Sequence, residues 1–407
     1  MSAVSAPRPA LAKRLKRVQV AATVAMTVKA RELRAQGIDV IQLTIGEPDF
    51  DTPLHAIEAA HKAALAGQTK YPPQDGTPEL KAAVQRKFKR DRGLDYALDE
   101  IMVSNGGKQV IYNAFLATID DGDEVVIPAP YWGAYPLMTR LCGGEPVIVN
   151  CPENNGFRLR PEDLDAAITP KTKWLMLNSP NNPTGAAMSR QELQAIGAVM
   201  KKHPHVWIMC DDMYEHLVYG DFEFDTLAAA VPELRERIVT ITGVSKTYAM
   251  TGWRVGFCAG PRDLVKAMVN MQGQVSAGIS TVGQAAAAAA LDGPQDLVAE
   301  QAALYRRRRD LVVDSLNAMP GITCHRPEGA FYVYPNIAGC IGRTTPKGTV
   351  IDTDGAFALA LLEEGHVALV GGSAFGMSPY LRISYAANDE AVAEAMIRMA
   401  NFVGSLK

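Results

Sequence analysis

Apolar runs of strand length recur through the middle of the chain, at residues 101–103, 125–127, 174–177, 206–210, 238–241 and 255–259. Between several of them the apolar positions take on helical spacing, as at 109–119. Another such stretch follows Ser189, which stands three residues before Glu192 as a capping box. Strand and helix in alternation predict an α/β unit around a mostly parallel sheet.

The rest of the chain reads differently. An Arg- and Leu-rich helix is expected at 302–316, strands at 330–334 and 380–385, and further helices at 354–364 and 390–403. That mixture predicts a smaller α+β domain. A helix at about 23–36, closed by Gly37, is expected to pack with it, and the alanine run 285–290 fits a tightly packed helix. At 407 residues the chain exceeds one typical domain and leaves room for two cores. The expected division is 1–47 as an N-terminal arm and part of the small domain, 48–299 as the large domain, and 300–407 as the small C-terminal domain.

Composition narrows the class. With 48% apolar and 21% charged residues the chain is ordinary globular protein, which excludes disordered and fibrous classes. A net charge of −3 offers no field to draw in nucleic acid, and the basic cluster from Arg8 to Arg17 reads as a short solvated arm. No apolar run nears the roughly 18 to 20 residues of a membrane span. Basic residues and prolines interrupt the positions where a signal peptide would stand, so the expected location is the cytoplasm. Six cysteines without a C-x-x-C pair read as buried free thiols. His203 and His205 lack acidic or cysteine partners at ligand spacing, and no metal is expected.

Open parallel sheets bind ligands beyond the carboxyl ends of their strands, so the residues after each run carry the chemical signal. Ser104-Asn105-Gly106-Gly107-Lys108 opens a helix, where glycines let N–H groups close on a phosphate. Pro128-Ala129-Pro130-Tyr131-Trp132 delivers an aromatic ring, and Asn178-Ser179-Pro180-Asn181-Asn182-Pro183-Thr184-Gly185 presents amides. Asp211, Asp212 and Tyr214 follow the fourth run, and Gly243-Val244-Ser245-Lys246 the fifth. Singly each signal is weak, because a Gly-Gly pair is usually a turn and a lone lysine usually a solvated residue. Together they put a phosphate cradle, an aromatic plate, an amide, a carboxylate, a phenol and a lysine in one crevice. No G-x-G-x-x-G, Walker loop or G-x-S-x-G motif competes with them.

At these residues the chain resembles the class I/II aminotransferases of pyridoxal-phosphate fold type I, and within them the bacterial aspartate aminotransferase subgroup. The motifs, in family order, are Gly46-Glu47-Pro48-Asp49-Phe50, Tyr71 with Gly76, Asn182-Pro183-Thr184-Gly185, Asp211 with Tyr214, Ser245-Lys246, Gly252-Trp253-Arg254-Val255-Gly256, Gly329-Ala330-Phe331-Tyr332 and Leu381-Arg382-Ile383-Ser384. The resemblance implies a large domain with a mostly parallel sheet holding pyridoxal 5′-phosphate (PLP), plus a smaller α+β domain built from both chain ends. It also implies a homodimer with shared active sites. The implied reaction moves an amino group between an L-amino acid, aspartate or aromatic favoured, and a 2-oxo acid such as 2-oxoglutarate.

The same resemblance assigns roles. Lys246 carries the cofactor as a Schiff base and, once displaced, moves the substrate's Cα proton. Asp211 keeps the pyridine nitrogen protonated, so that the ring stays an electron sink. Asn182 and Tyr214 hold the phenolic oxygen, and Trp132 stacks on the ring. The phosphate takes Gly106, Gly107, Lys108, Arg254 and, from the neighbouring subunit, Tyr71. Lys246, Asp211 and Tyr214 are the catalytic candidates. Arg382 would grip the substrate's α-carboxylate bidentately, Gly46 would let backbone approach it, and Trp132 and Asn182 would complete the substrate site.

The departures bear on substrate. Gln19-Val20-Ala21-Ala22-Thr23 stands where the subgroup has Lys-Pro-Ser-x-Thr, so a lysine that helps hold a distal carboxylate is missing unless Lys16 or Arg17 stands in. Residues 272–278 lack the Ser-Thr-Ser run offered across the dimer interface, and Gly243 replaces a phosphate-binding serine of some relatives. An enzyme less strict for dicarboxylates is expected. A C–S lyase or a racemase of the same fold would use the same lysine. A PLP-binding regulatory module would carry a DNA-binding domain, for which the stretch ahead of Gly46 has no room.

Overall fold

The computed structural model describes residues 10–18 and 22–407. Seven strands form one sheet in the spatial order Ile101–Ser104, Gly256–Ala259, Ile238–Gly243, Trp207–Asp211, Thr172–Asn178, Glu124–Ala129 and Glu145–Asn150. Gly256–Ala259 alone runs antiparallel to its neighbours in this sheet. Ile101–Ser104, Ile238–Gly243 and Gly256–Ala259 are buried at every position, which explains why they read as continuous apolar runs rather than alternating ones.

Glu145–Asn150 was not foreseen. It is an edge strand with only Val149 buried, so its sequence lacks the apolar signature of the central strands. The helices Leu54–Leu65, Pro78–Arg92 and Arg262–Val275 were also missed, and the helix expected at 302–316 extends over Asp296–Asn317. The alanine run lies inside the helix Thr281–Asp292, where Ala286, Ala287 and Ala290 pack into one core with Ala56 and Ala60. Small side chains on both helices allow that close approach.

In the C-terminal part, Tyr332–Val333, Leu381–Ser384 and Val370–Gly371 form a three-stranded antiparallel sheet, shorter than the expected strands. Ile41–Gln42, from the N-terminal side, pairs in parallel with Val367–Ala368. Leu43 joins Tyr305, Val312, Phe331, Phe357 and Met399 in a second core, so both chain ends build this region. Among the described residues no helix is long and apolar enough to cross a membrane.

Two charged networks brace the fold, and the first joins the N-terminal segment to the C-terminal part. Arg308 forks onto both carboxylate oxygens of Asp49 at 2.8 and 2.9 Å and donates through Nε to Asp389 at 2.6 Å. The second lies beneath the sheet, where Lys87 donates to Glu215 and sits 3.5 Å from Asp91. Glu215 also accepts from the Thr242 hydroxyl at 2.8 Å and lies 3.4 Å from Arg92. Burial alone would raise the Glu215 carboxyl, but Lys87, His216 and Arg92 outweigh it and hold it down at about 2.

That network predicts an acid-sensitive junction. A carboxyl depressed from its ordinary 4.5 to about 2 stabilises the fold fully above pH 4.5 and loses that contribution as pH falls toward 2. Lys87→Met leaves a buried carboxylate without its closest cation and should cost about 3 to 5 kcal/mol at pH 7. Urea denaturation should also show a flatter pH dependence between 4.5 and 2 in the variant. Unchanged stability at pH 7 would contradict the assignment.

Candidate active site

A cavity of about 640 Å³ opens beyond the carboxyl ends of the sheet strands and brings together residues from five of them. Lys246 lies on the one-turn helix Val244–Thr247 that follows the strand Ile238–Gly243, and its Nζ donates to the Gly46 carbonyl at 2.6 Å. The amine faces the cavity but lies deep below the protein surface. Burial, aided by Arg254 and Arg382, lowers it to about 8 against the opposing pull of Glu47 and Asp211. Such an amine has a sizeable neutral, nucleophilic fraction near neutral pH.

Asp211 is the last residue of its strand rather than the first of the loop. Its Oδ2 accepts from the Tyr135 hydroxyl at 2.6 Å and its Oδ1 from the Met213 N–H at 3.3 Å. Burial raises this carboxyl, and the two hydrogen bonds and Lys246 oppose the rise. The Tyr214 and Tyr332 hydroxyls lie 2.9 Å apart.

Arg382 is 4% exposed. Its Nη1 donates to Asn182 Oδ1 at 3.0 Å, its Nη2 donates to the Thr44 carbonyl, and its Nε has no partner among the described residues. The guanidinium stacks between the Phe375 and Tyr332 rings, 4.7 and 4.9 Å from their centroids. With Asn182 Oδ1 committed to Arg382, the amide nitrogen is left for another acceptor.

The glycines have specific reasons to be there. Gly106 has φ 80°, and a Cβ on it would come 2.5 Å from Arg254 Nη2. One on Gly256 would come 2.4 Å from the Gly107 nitrogen, so the backbone at the head of the helix Gly107–Thr118 stays bare. Beside it Arg254 donates to the Thr251 carbonyl at 3.0 Å. Bare N–H groups at a helix N-terminus with an arginine fork alongside are the donor set for a phosphate. At Gly46 a Cβ would overlap the Tyr332 hydroxyl at 1.7 Å.

The sequence profile of the family "Aminotransferase class I and II" matches residues 38–399. The chain belongs to that family. A Rhizobium leguminosarum bv. phaseoli protein described as a probable aspartate/prephenate aminotransferase is 53% identical over 397 residues, covering 98% of this chain and 99% of the relative. The Cereibacter sphaeroides aspartate/prephenate aminotransferase is 54% identical over 396 residues, covering 97% and 99%. The crystal structure of the Rhizobium meliloti aspartate aminotransferase superposes with a TM-score of 0.96 at 48% identity, covering 98% of this chain and all of that one. The chain is therefore an aminotransferase of the α/β fold type I architecture, acting on amino acids and oxo acids.

In this aminotransferase the cavity lining holds Gly46, Gly107, Lys108, Trp132, Asn182, Asp211, Tyr214, Lys246, Arg254 and Arg382, all foreseen from the sequence. Gly106 lies next to it. Tyr71 does not line it. That tyrosine is 93% exposed, in a separate groove with Pro72 and residues 276–282. Lys16 and Arg17 are not part of this cavity lining on the single chain. They line another groove with Arg140, and Arg17 lies 3.9 Å from Asp121. The replaced residues Gln19, Val20 and Ala21 fall outside the described residues.

Sequence reasoning missed Tyr135, Tyr332, Thr44 and Arg31. Tyr332 was in hand within the Gly329–Tyr332 motif without a role, whereas nothing local marks Tyr135, whose partner is 76 residues away. Arg31, Lys108, Lys246, Arg254 and Arg382 line the cavity with Asp211 as the one carboxylate, and none of the five has an ion-pair partner among the described residues. The cavity calls for anions.

The Tyr135 contact is testable without ligand. Tyr135→Phe leaves Asp211 Oδ2 buried without a donor, a loss of about 1 to 3 kcal/mol for the ionised form. The carboxyl is already raised by burial, and losing the donor raises it further, so the penalty grows with pH. Urea denaturation of the cofactor-free protein should show a loss that grows as pH rises through the ionisation of this carboxyl. No loss at any pH would contradict the contact.

Proposed function

We propose that this aminotransferase binds PLP in the cavity, attached through Lys246, and uses aspartate as amino donor with 2-oxoglutarate as a matching acceptor. The observation that carries the reading is the deep Lys246 amine, held by the Gly46 carbonyl beside Asp211 and the buried Arg382. The donor set fits the cofactor. Gly106 and Gly107 leave backbone bare beside the Arg254 guanidinium, and among the described residues Arg382 Nε is a buried donor without a partner.

Bound there, PLP supplies an electron-withdrawing ring that stabilises negative charge at the substrate's Cα. The chain's own residues do the rest. Asp211, steadied by Tyr135, holds a proton on the ring nitrogen. Tyr214 and the free nitrogen of the Asn182 amide take the phenolic oxygen, and Trp132 covers one ring face. Arg382 grips the α-carboxylate and sets the direction of the Cα–H bond, and the Lys246 amine carries the proton away from Cα.

Lys108 is assigned to the cofactor's phosphate end. Its amine lies 4.9 Å from the centroid of the Trp132 ring, at the same end of the cavity as Arg254, whose charge helps burial to lower it. Tyr71, exposed on a single chain, would reach the phosphate in a second copy, which makes the enzyme a homodimer with shared sites. The division into 48–299 as the large domain and both chain ends as the small one belongs to the same reading.

Mixing the holoenzyme with single amino acids and following the cofactor absorbance tests this directly. Aspartate should discharge it. Lys246→Ala should stay folded and lose at least about a thousandfold in turnover, because a methyl group can neither join the cofactor nor move the Cα proton. Asp211→Ala should keep some cofactor and lose about a hundredfold or more. Turnover near the wild-type level in the Lys246 variant would refute the proposal.

A further inference from the structure

We infer that Tyr332 is a positioning residue, whose hydroxyl donates to the Tyr214 hydroxyl and so frees the Tyr214 proton for the phenolic oxygen of the cofactor. The inference rests on the PLP reading proposed above and adds to it a residue to which that reading gives no part.

The geometry isolates the pair. Tyr214 follows the strand Trp207–Asp211 of the large sheet, and Tyr332 opens the strand Tyr332–Val333 of the three-stranded one. Both side chains are buried, both line the cavity, and their hydroxyls lie 2.9 Å apart. The Tyr214 ring meets the Phe331 and Tyr332 rings edge to face, with centroids 5.4 and 5.7 Å away, which holds the two phenols in this arrangement. Gly46 is fitted to the same contact, because the nearest atom that a Cβ there would strike is the Tyr332 hydroxyl oxygen.

Counting protons assigns the direction. Two hydroxyls carry two protons, and among the described residues each hydroxyl has only the other as a hydrogen-bond partner. One proton lies in the contact, and the other is left for whatever enters the cavity. When Tyr214 gives its proton to the phenolic oxygen, its own oxygen can only accept, and the contact persists because Tyr332 donates. A hydroxyl that accepts one hydrogen bond donates a stronger one, by roughly 10–30%. Burial raises both phenols above their ordinary 10, against the opposing pull of Arg382, so both stay neutral donors around neutral pH.

The test titrates the absorbance of the holoenzyme with no substrate present. The midpoint reports loss of the proton from the lysine-bound cofactor, which leaves more negative charge on the phenolic oxygen and so depends on the donor beside it. Tyr332→Phe removes one hydroxyl and keeps the ring on which Arg382 stacks. It should move the midpoint up by about half a unit to one unit. Tyr214→Phe should move it further in the same direction. The double variant should match Tyr214→Phe within about 0.3 unit, since a group that acts through Tyr214 has nothing to act on once that hydroxyl is gone. The charged groups facing Lys246 are Glu47, Arg254, Arg382 and Asp211, and those facing the tyrosine pair are Asp211 and Arg382; all stay in place in the three variants. A hydroxyl that only fills space would cost stability in urea without moving the midpoint, and that result with Tyr332→Phe would overturn the inference. So would a double variant whose shift is the sum of the two single shifts. If the wild-type protein takes up no cofactor, the PLP reading itself fails, and the inference with it.

Discussion

Arg382 sits in a three-stranded sheet with its side chain out of water, hydrogen-bonded to an amide and a carbonyl, and among the described residues it has no ion-pair partner. Withdrawing a cation from water without an anion costs several kcal/mol. Here the aromatic rings of Phe375 and Tyr332 offset part of that cost by taking the guanidinium between them. The remainder is an attraction for any carboxylate that enters. Lys246 is in a similar condition, depressed to about 8 by burial and by two arginines. The site is thus preorganised for negative charge before any ligand arrives, which is how electrostatic stabilisation works without reorganisation cost.

Holding these cations in register falls to one segment, residues 44–52. It offers the Thr44 carbonyl to Arg382 and the Gly46 carbonyl to Lys246. Farther along, Glu47 accepts from Thr251, and the Thr52 hydroxyl accepts from the Trp253 indole at 3.0 Å. Asp49 fixes its middle to Arg308. A strap that leaves the strand Ile41–Gln42 and leads to the helix Leu54–Leu65 therefore meets Arg382 and Lys246 in succession. The Gly46 carbonyl can approach because a hydrogen replaces the side chain that would collide with Tyr332.

The central strands and most of the cavity were legible in the sequence for one reason. A strand buried on both faces must be apolar throughout, and the residue that ends such a run is freed for chemistry. Lys246, Asp211 and Asn182 stand out against those runs. Glu145–Asn150 did not, because an edge strand has one neighbour and needs little burial. Tyr135 was invisible for another reason, because its contact with Asp211, far along the chain, exists only in the fold. Tyr71 shows a third limit, since its position on one chain leaves it exposed.

The claim on which the account depends is that Lys246 is the residue to which the cofactor is joined. Reducing the holoenzyme with borohydride fixes that bond, and mass mapping of the peptides then locates it. The account predicts a phosphopyridoxyl group on Lys246 at one per chain. Its recovery on Lys108 or on any other lysine would contradict the account.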